Sequence, residues 1–149
     1  MSIKVTDNSG KFLRAYKEAS RKATDAAAAL YEGNVKKRFF QGYYTSQKFR
    51  STAQIVQHVQ RERPIWTQDG WTSLVGIPKG ITVQLTRLGK TRPYTVGEIA
   101  LAWELGHHNL FSRRYERVEI FKPVALNSVD AIGKAYARVL TRSLKAEAL

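Results

Sequence analysis

Between Phe12 and Leu30 the apolar residues Phe12, Tyr16, Ala19, Ala23, Ala26, Ala27 and Leu30 recur at spacings of three and four, the period of one face of an α-helix. Arg14, Lys17, Glu18, Arg21, Asp25 and Glu32 fall on the other side. The run Ala26-Ala27-Ala28-Ala29 favours helix and adds little bulk, so the buried stripe is thin and a neighbour can approach closely. Asp7-Asn8-Ser9-Gly10 offers an N-cap ahead of it. Gly33-Asn34 is where the helix is expected to end or loosen.

Beyond it the pattern changes. Residues 41–70 read equally as helix, through Phe49, Ala53, Val56 and Val59, or as strand, through Ile55, Gln57 and Val59. Trp66 and Trp71 flank Gln68-Asp69-Gly70, a turn or loop carrying aromatic anchors. Leu74-Val75-Gly76-Ile77, the turn Pro78-Lys79-Gly80 and the alternating Ile81 to Thr86 predict a hairpin, with a basic turn over 88–93. Thr95 with Glu98 forms a capping-box pattern for a short helix that Gly106 closes. His107, His108 and Asn109 read as a polar loop, and Val118 to Phe121 as a strand stopped by Pro123. A last helix is expected from Asn127 or Ser128, with Val129, Ile132, Tyr136, Val139, Leu140 and Leu144 on one face. The sum is an α+β fold: a small antiparallel sheet, with a long N-terminal helix, a short central helix and a C-terminal helix packed on it.

A length of 149 residues predicts one domain, spanning 1–149. With 43% apolar residues the chain can build a core without staples, and it has no cysteine for disulfides or thiolate metal sites. Its longest apolar runs fall far short of the roughly 20 residues of a membrane span, and Met1 to Asp7 holds no signal-like apolar stretch. The expectation is a soluble chain used without secretion or membrane. Twenty-five Lys and Arg against twelve Asp and Glu give a net charge of +13. Small domains stay soluble at magnitudes of roughly 2 to 8. The surplus calls for an acidic or polyanionic partner.

Catalytic patterns are missing. Three histidines face no serine or carboxylate partner in sequence, and the ten glycines form no phosphate-cradling loop. Glu98 and Glu104 are six residues apart, on different sides of a helix. Glu104 with His107 and His108 is too small a set for a zinc site, the histidines lying past the helix-ending Gly106. The expectation is no enzyme, no metal and no cofactor. Basic residues do sit beside aromatics: Lys36-Lys37-Arg38 before Phe39-Phe40 and Tyr43-Tyr44, and Arg113-Arg114 before Tyr115. Single-stranded nucleic acid uses that pairing, as does a solvated rim around core aromatics.

The segment Val96 to Gly106 resembles the short helix of the tail-completion, or head–tail joining, proteins of long-tailed bacteriophages. Ile99-Ala100, then Glu104, Leu105 and Gly106, fill that helix's places. Thr45, Phe49, Arg50 and Ser51 are similar to the family's turn after the first helix. Ser112-Arg113-Arg114-Tyr115 and Phe121-Lys122-Pro123 are degenerate versions of its Pro-x-Arg-Pro-Phe element. The resemblance implies a virion protein of the neck, made in the host cytoplasm. Copies form a ring, commonly sixfold, between the connector or head-closure proteins and the tail tube, with non-specific contact to DNA in the opening. Candidate assembly contacts are Trp66, Trp71, Trp103, Glu98, Glu104, Gly106, Arg113, Arg114 and Tyr115. Lys36, Lys37, Arg38, Lys48 and Arg50 are candidates for meeting an acidic partner or DNA. The alternative is a basic cellular nucleic-acid-binding protein of ribosomal type.

Overall fold

The computed structural model describes residues 9–43, 55–87, 89–109, 114–116 and 119–147. The fold is α+β, with a long N-terminal helix, a short central one and a C-terminal one. Its strands divide into four two-stranded antiparallel ladders.

Helix α1 (Ser9–Tyr43) runs 35 residues, about 50 Å at 1.5 Å per residue. It passes straight through Gly33-Asn34, where the sequence suggested an end. A glycine inside a helix costs only about 1 kcal/mol, and tertiary contacts just beyond it, with an ion pair within the helix, offset that. Val35 is fully buried, Asn34 Nδ2 donates to Ser128 Oγ at 3.1 Å, and Lys36 bonds Glu32 across the glycine. Among the described side chains of α1, the buried ones are Ala19, Ser20, Ala23, Ala28 and Val35. Phe12 and Tyr16, the first two members of the sequence stripe, are exposed.

Helix α3 (Phe121–Glu147) packs against α1 in the most extensive contact between elements. The pair is antiparallel: Tyr31 Oη donates to the Phe121 carbonyl at 3.0 Å and Asn34 meets Ser128, whereas Tyr16 lies near Tyr136. Helix α3 begins six residues before the expected Asn127; of the strand expected over 118–121, Val118 lies outside the described residues and Phe121 starts the helix. Pro123 is third in that helix, in the first turn, where a missing N–H costs nothing. Ser128 is a buried interior residue, not a cap, and Val129 points outward.

Between the long helices lie the ladders. Strands β1 (Gln60–Arg61) and β4 (Val75–Gly76) pair, and within them β2 (Ile65–Thr67) pairs with β3 (Gly70–Thr72). Glu62 N donates to the Leu74 carbonyl at 2.8 Å, so residues 60–76 form one ribbon. Its register shifts by one between Glu62–Leu74 and Ile65–Thr72, leaving two residues, Arg63 and Pro64, opposite Ser73. That is the count of a β-bulge, a position suited to a proline without a donor. The expected hairpin across Pro78-Lys79-Gly80 is absent because β4 belongs to this ribbon. Instead β5 (Thr82–Arg87) pairs with β6 (Lys90–Thr95), and the expected basic turn is largely a strand. After α2 (Val96–Leu105), residues read as a polar loop form β7 (His107–Asn109), paired with β8 (Arg114–Glu116).

The core gathers where α2, the second half of α1 and the start of α3 meet. Val35, Ile55, Val56, Val59, Val96, Ala100, Ile120 and Val124 are buried there, with Ile55 and Val56 in a helical turn over 55–57. Tyr31, Val75, Ile77, Ile81, Ile99 and Phe121 pack against it. The first half of α1 and the end of α3 extend away from this centre as a helical pair.

Candidate functional site

Helix α2 is fastened at both ends. Thr95 Oγ1 accepts from Glu98 N at 3.2 Å, and Glu98 Oε2 accepts from Thr95 N at 3.1 Å, the reciprocal capping box. The Thr95 hydroxyl and then its backbone hold the Glu98 carboxyl below the ordinary carboxylate range. At the other end Gly106 N donates to the Ala102 carbonyl at 2.9 Å. Gly106 adopts φ 98° and ψ 154°, a region essentially restricted to glycine.

Between those ends Glu104 reaches across to α3. Its Oε2 accepts from Ile120 N at 2.7 Å and Phe121 N at 3.2 Å, and its Oε1 accepts from Lys122 N at 3.1 Å. Three N–H groups at a helix start have no partner within the helix, and the helix dipole favours a negative charge there. One carboxylate, 16 to 18 residues upstream, satisfies both needs. The resemblance-bearing strings Glu104-Leu105-Gly106 and Phe121-Lys122-Pro123 therefore form a single constellation. Burial raises the Tyr31 hydroxyl above its ordinary value, the charge of Glu104 adding to it.

Beside this clasp lies a shallow, mainly apolar depression of about 390 Å³, walled by Tyr31, Val75, Ile77, Ala100, Leu101 and Phe121. Gly97, Leu101 and Leu105 recur every four residues along α2's outer side, with Leu101 57% and Leu105 58% exposed. The helix carries Glu98 and Glu104 and no Lys or Arg.

A second surface lies toward the N-terminal end of α1. Trp66 and Trp71 face each other across the ribbon, edge to face with centroids 5.3 Å apart. Trp71 Nε1 donates to the Lys17 carbonyl at 2.8 Å, and Lys17 Nζ sits 4.9 Å from the centre of the Trp66 ring. Phe12 stacks on Tyr16 at 6.4 Å. Phe12 is 66% and Trp66 53% exposed, and Leu13 is exposed beside them. Lys11, Arg14 and Lys17 stand on the same stretch of helix. On the neighbouring end of α3, Lys134, Arg138, Arg142 and Lys145 are all exposed.

A polar cavity of about 510 Å³ lies farther along α1, lined by Arg21, Asp25, Glu32, Arg61, Glu62 and Arg63 among others. Its ion pairs join the ribbon to the helix: Arg61 Nε to Asp25 Oδ1 at 3.1 Å and Arg61 Nη1 to Glu32 Oε2 at 2.9 Å. Burial pushes the Glu32 carboxyl up, and its hydrogen bonds from Lys36 and Arg61 more than reverse this, leaving it below the ordinary range.

The sequence candidates are thus dispersed. Trp66 and Trp71 form one pair; Glu98, Glu104 and Gly106 belong to α2 and its end. Trp103 lies in α2 and Arg114 and Tyr115 in β8, opposite Asn109 and His108, their side chains outside the described residues. Arg113, Lys48 and Arg50 also lie outside them, as do Thr45, Phe49 and Ser51. Lys36 is tied to Glu32, whereas Lys37 and Arg38 are exposed near the end of α1. Sequence reasoning took Phe12 and Tyr16 as buried stripe, did not single out Leu13, and missed the exposure of Leu101 and Leu105 within the mostly apolar string Ile99 to Leu105. A run apolar on all sides does not say which side is outward. Among the described residues no group of three or more His, Asp or Glu is placed to hold a metal ion, and no helix is long and apolar enough to cross a membrane.

No protein-family model, no curated protein and no solved structure matches this chain.

Proposed function

We propose that this chain is a structural virion protein of a long-tailed phage, forming a ring at the neck that completes the tail or connector and joins head to tail. The observation that carries the reading is the Glu104 clasp. Two of the strings that carry the resemblance meet in one piece of architecture: Glu104 of the first seats the start of α3 at Phe121-Lys122 of the second, and Gly106 turns the chain out of α2. Exposed apolar side chains on two separate surfaces suit a protein that works between neighbours. The net charge of +13 suits acidic layers above and below and DNA passing through the opening. No reaction and no cofactor enter this reading.

The test is a phage lacking this gene, with labelled protein supplied in trans. Expected are filled heads and separate tails without it, joined particles when it is restored, and label at the neck by electron microscopy. Joined, infectious particles without the protein would end the reading.

A second reading, a basic nucleic-acid-binding protein, is favoured by the exposed Lys134, Arg138 and Arg142, set four residues apart on one face of α3. It expects a monomer whose affinity for nucleic acid falls steeply with salt as counterions are released.

A further inference from the structure

The two exposed apolar surfaces differ in charge, and neither can cover the other within one chain. Tyr31 walls the depression and Tyr16 belongs to the aromatic surface, 15 residues apart on the same helix, a separation of about 22 Å. Along α1, residues 9–23 carry Lys11, Arg14, Lys17, Arg21 and Lys22 against Glu18 alone, and Glu18 is bonded to Arg21. The end of α3 adds Arg138, Arg142 and Lys145 alongside. Two such ends facing one another repel, which disfavours a symmetric pair built through them. The surface of α2 differs: Leu101, Leu105 and the Glu98 carboxylate are exposed and the helix itself carries no cation, with Lys122 an exposed cation beside the Glu104 clasp.

We propose that the aromatic, basic end of one copy seats on the α2 surface of the next, a head-to-tail contact between identical chains with a Phe12 or Trp66 ring entering the depression beside Leu101. Size permits it: an apolar cavity of about 150 Å³ already holds a benzene ring, and this depression measures about 390 Å³. The contact covers side chains more than half exposed on both surfaces and brings Lys11 and Arg14 toward Glu98. Each copy keeps one free surface of each kind, so the contact propagates until it closes. The proposal deepens the ring reading and rests on it for that closure.

The experiment uses the full chain and measures mass against concentration by sedimentation velocity and native mass spectrometry. Phe12→Asp with Trp66→Asp disables one surface and Leu101→Asp the other. All three positions are exposed, and unchanged circular dichroism with a cooperative melt verifies folding. Expected is weakening of self-association by about 30-fold or more for each variant alone, the scale of losing an interface hot spot. Mixing the two variants is expected to give a one-to-one pair and nothing larger, because one intact surface of each kind remains between them. A wild-type chain that stays monomeric up to about 1 mM overturns the proposal. So do variants that assemble like wild type, and variants that fail to pair on mixing. So does loss, in these variants, of binding to an oligonucleotide or an acidic protein without any self-association. Rings at the virion neck with unaffected variants would end this interface and leave the neck reading. The expected pairing with no protein in particles would do the reverse.

Discussion

Glu104 is removed from water only in part, yet its two oxygens serve three backbone donors of a different helix. Truncating it takes that acceptor from all three donors, and hydrogen bonds to a charged acceptor are each worth about 1.5 to 3 kcal/mol. Water recovers part of that in the variant. Glu104→Ala is therefore expected to cost about 2 to 3 kcal/mol, read as a lower urea midpoint at unchanged slope. A variant as stable as wild type would show the clasp to be dispensable. Glu32 gives a pH dependence. Its carboxyl is held below the ordinary value of 4.5, so the folded state binds its proton less readily than the unfolded state. The stability this group contributes is in full above about pH 5 and is lost as pH falls through the lowered value. Glu18, lowered chiefly by its hydrogen bond from Arg21, and Glu98 act in the same direction. Glu32→Gln is expected to flatten the fall in melting temperature between about pH 5 and 3. At neutral pH it should cost about 1 kcal/mol, because Arg61 is more than a third exposed and water screens the pair. An equally steep acid limb in the variant would assign the fall elsewhere.

At the scale of elements, whatever is fixed locally was legible and whatever is fixed at a distance was not. The capping box and the glycine stop of α2 are short-range patterns, and the structure holds both as read. The same reasoning misplaced the start of α3, because its N-terminal donors are served by Glu104 from another helix, while the cap-like Ser128 is buried and accepts from Asn34. The hairpin at Pro78 failed for a related cause. Turn chemistry at Pro78-Lys79-Gly80 is compatible with a reversal, yet β4 finds its partner in β1, fifteen residues earlier, and only long-range pairing decides that. Of the candidate site, the Trp66–Trp71 pair was legible as aromatic anchors around a turn, but the exposure of Phe12 and Tyr16 was not. An apolar stripe says which face can be buried, not how far the neighbour extends. The ribbon over 60–76 carries its own prediction. It is fastened at its base by Arg61 and near its tip by Trp71, whose indole reaches the Lys17 carbonyl. Trp71→Ala is expected to cost about 2 kcal/mol, less than a fully buried Trp. Amide protection should fall over 65–72 and not over the core residues 96–100. Hydrogen exchange checks this, and a uniform drop across both regions would contradict a locally fastened ribbon.

Across the whole molecule, apolar burial and positive charge are distributed unequally. The fully buried large side chains Ile55, Ile120, Val35, Val59 and Val96 all lie at the end where α2 joins the helical pair. Farther out α1 offers Ala19, Ser20 and Ala23 as its buried residues, small groups that contribute little apolar area. Lys11, Arg14, Lys22, Arg138, Arg142 and Lys145 crowd that same outer half, so the least burial coincides with strong self-repulsion. Local opening should follow this gradient. In hydrogen exchange, amides over 12–23 and 134–145 are expected to open at lower free energy than those over 31–35 and 122–128, which share the core and the Tyr31 and Asn34 bonds. Salt separates the two causes. Raising ionic strength to about 0.5 M shortens the screening length to a few ångströms and relieves repulsion without changing burial much. Protection should then rise preferentially in the outer half, narrowing the difference without removing it, because the thin alanine contact remains. A difference unmoved by salt would assign the weakness to packing alone. One that vanishes would assign it to charge alone, and the outer half would then need an anionic surface, not an apolar one, to hold it closed.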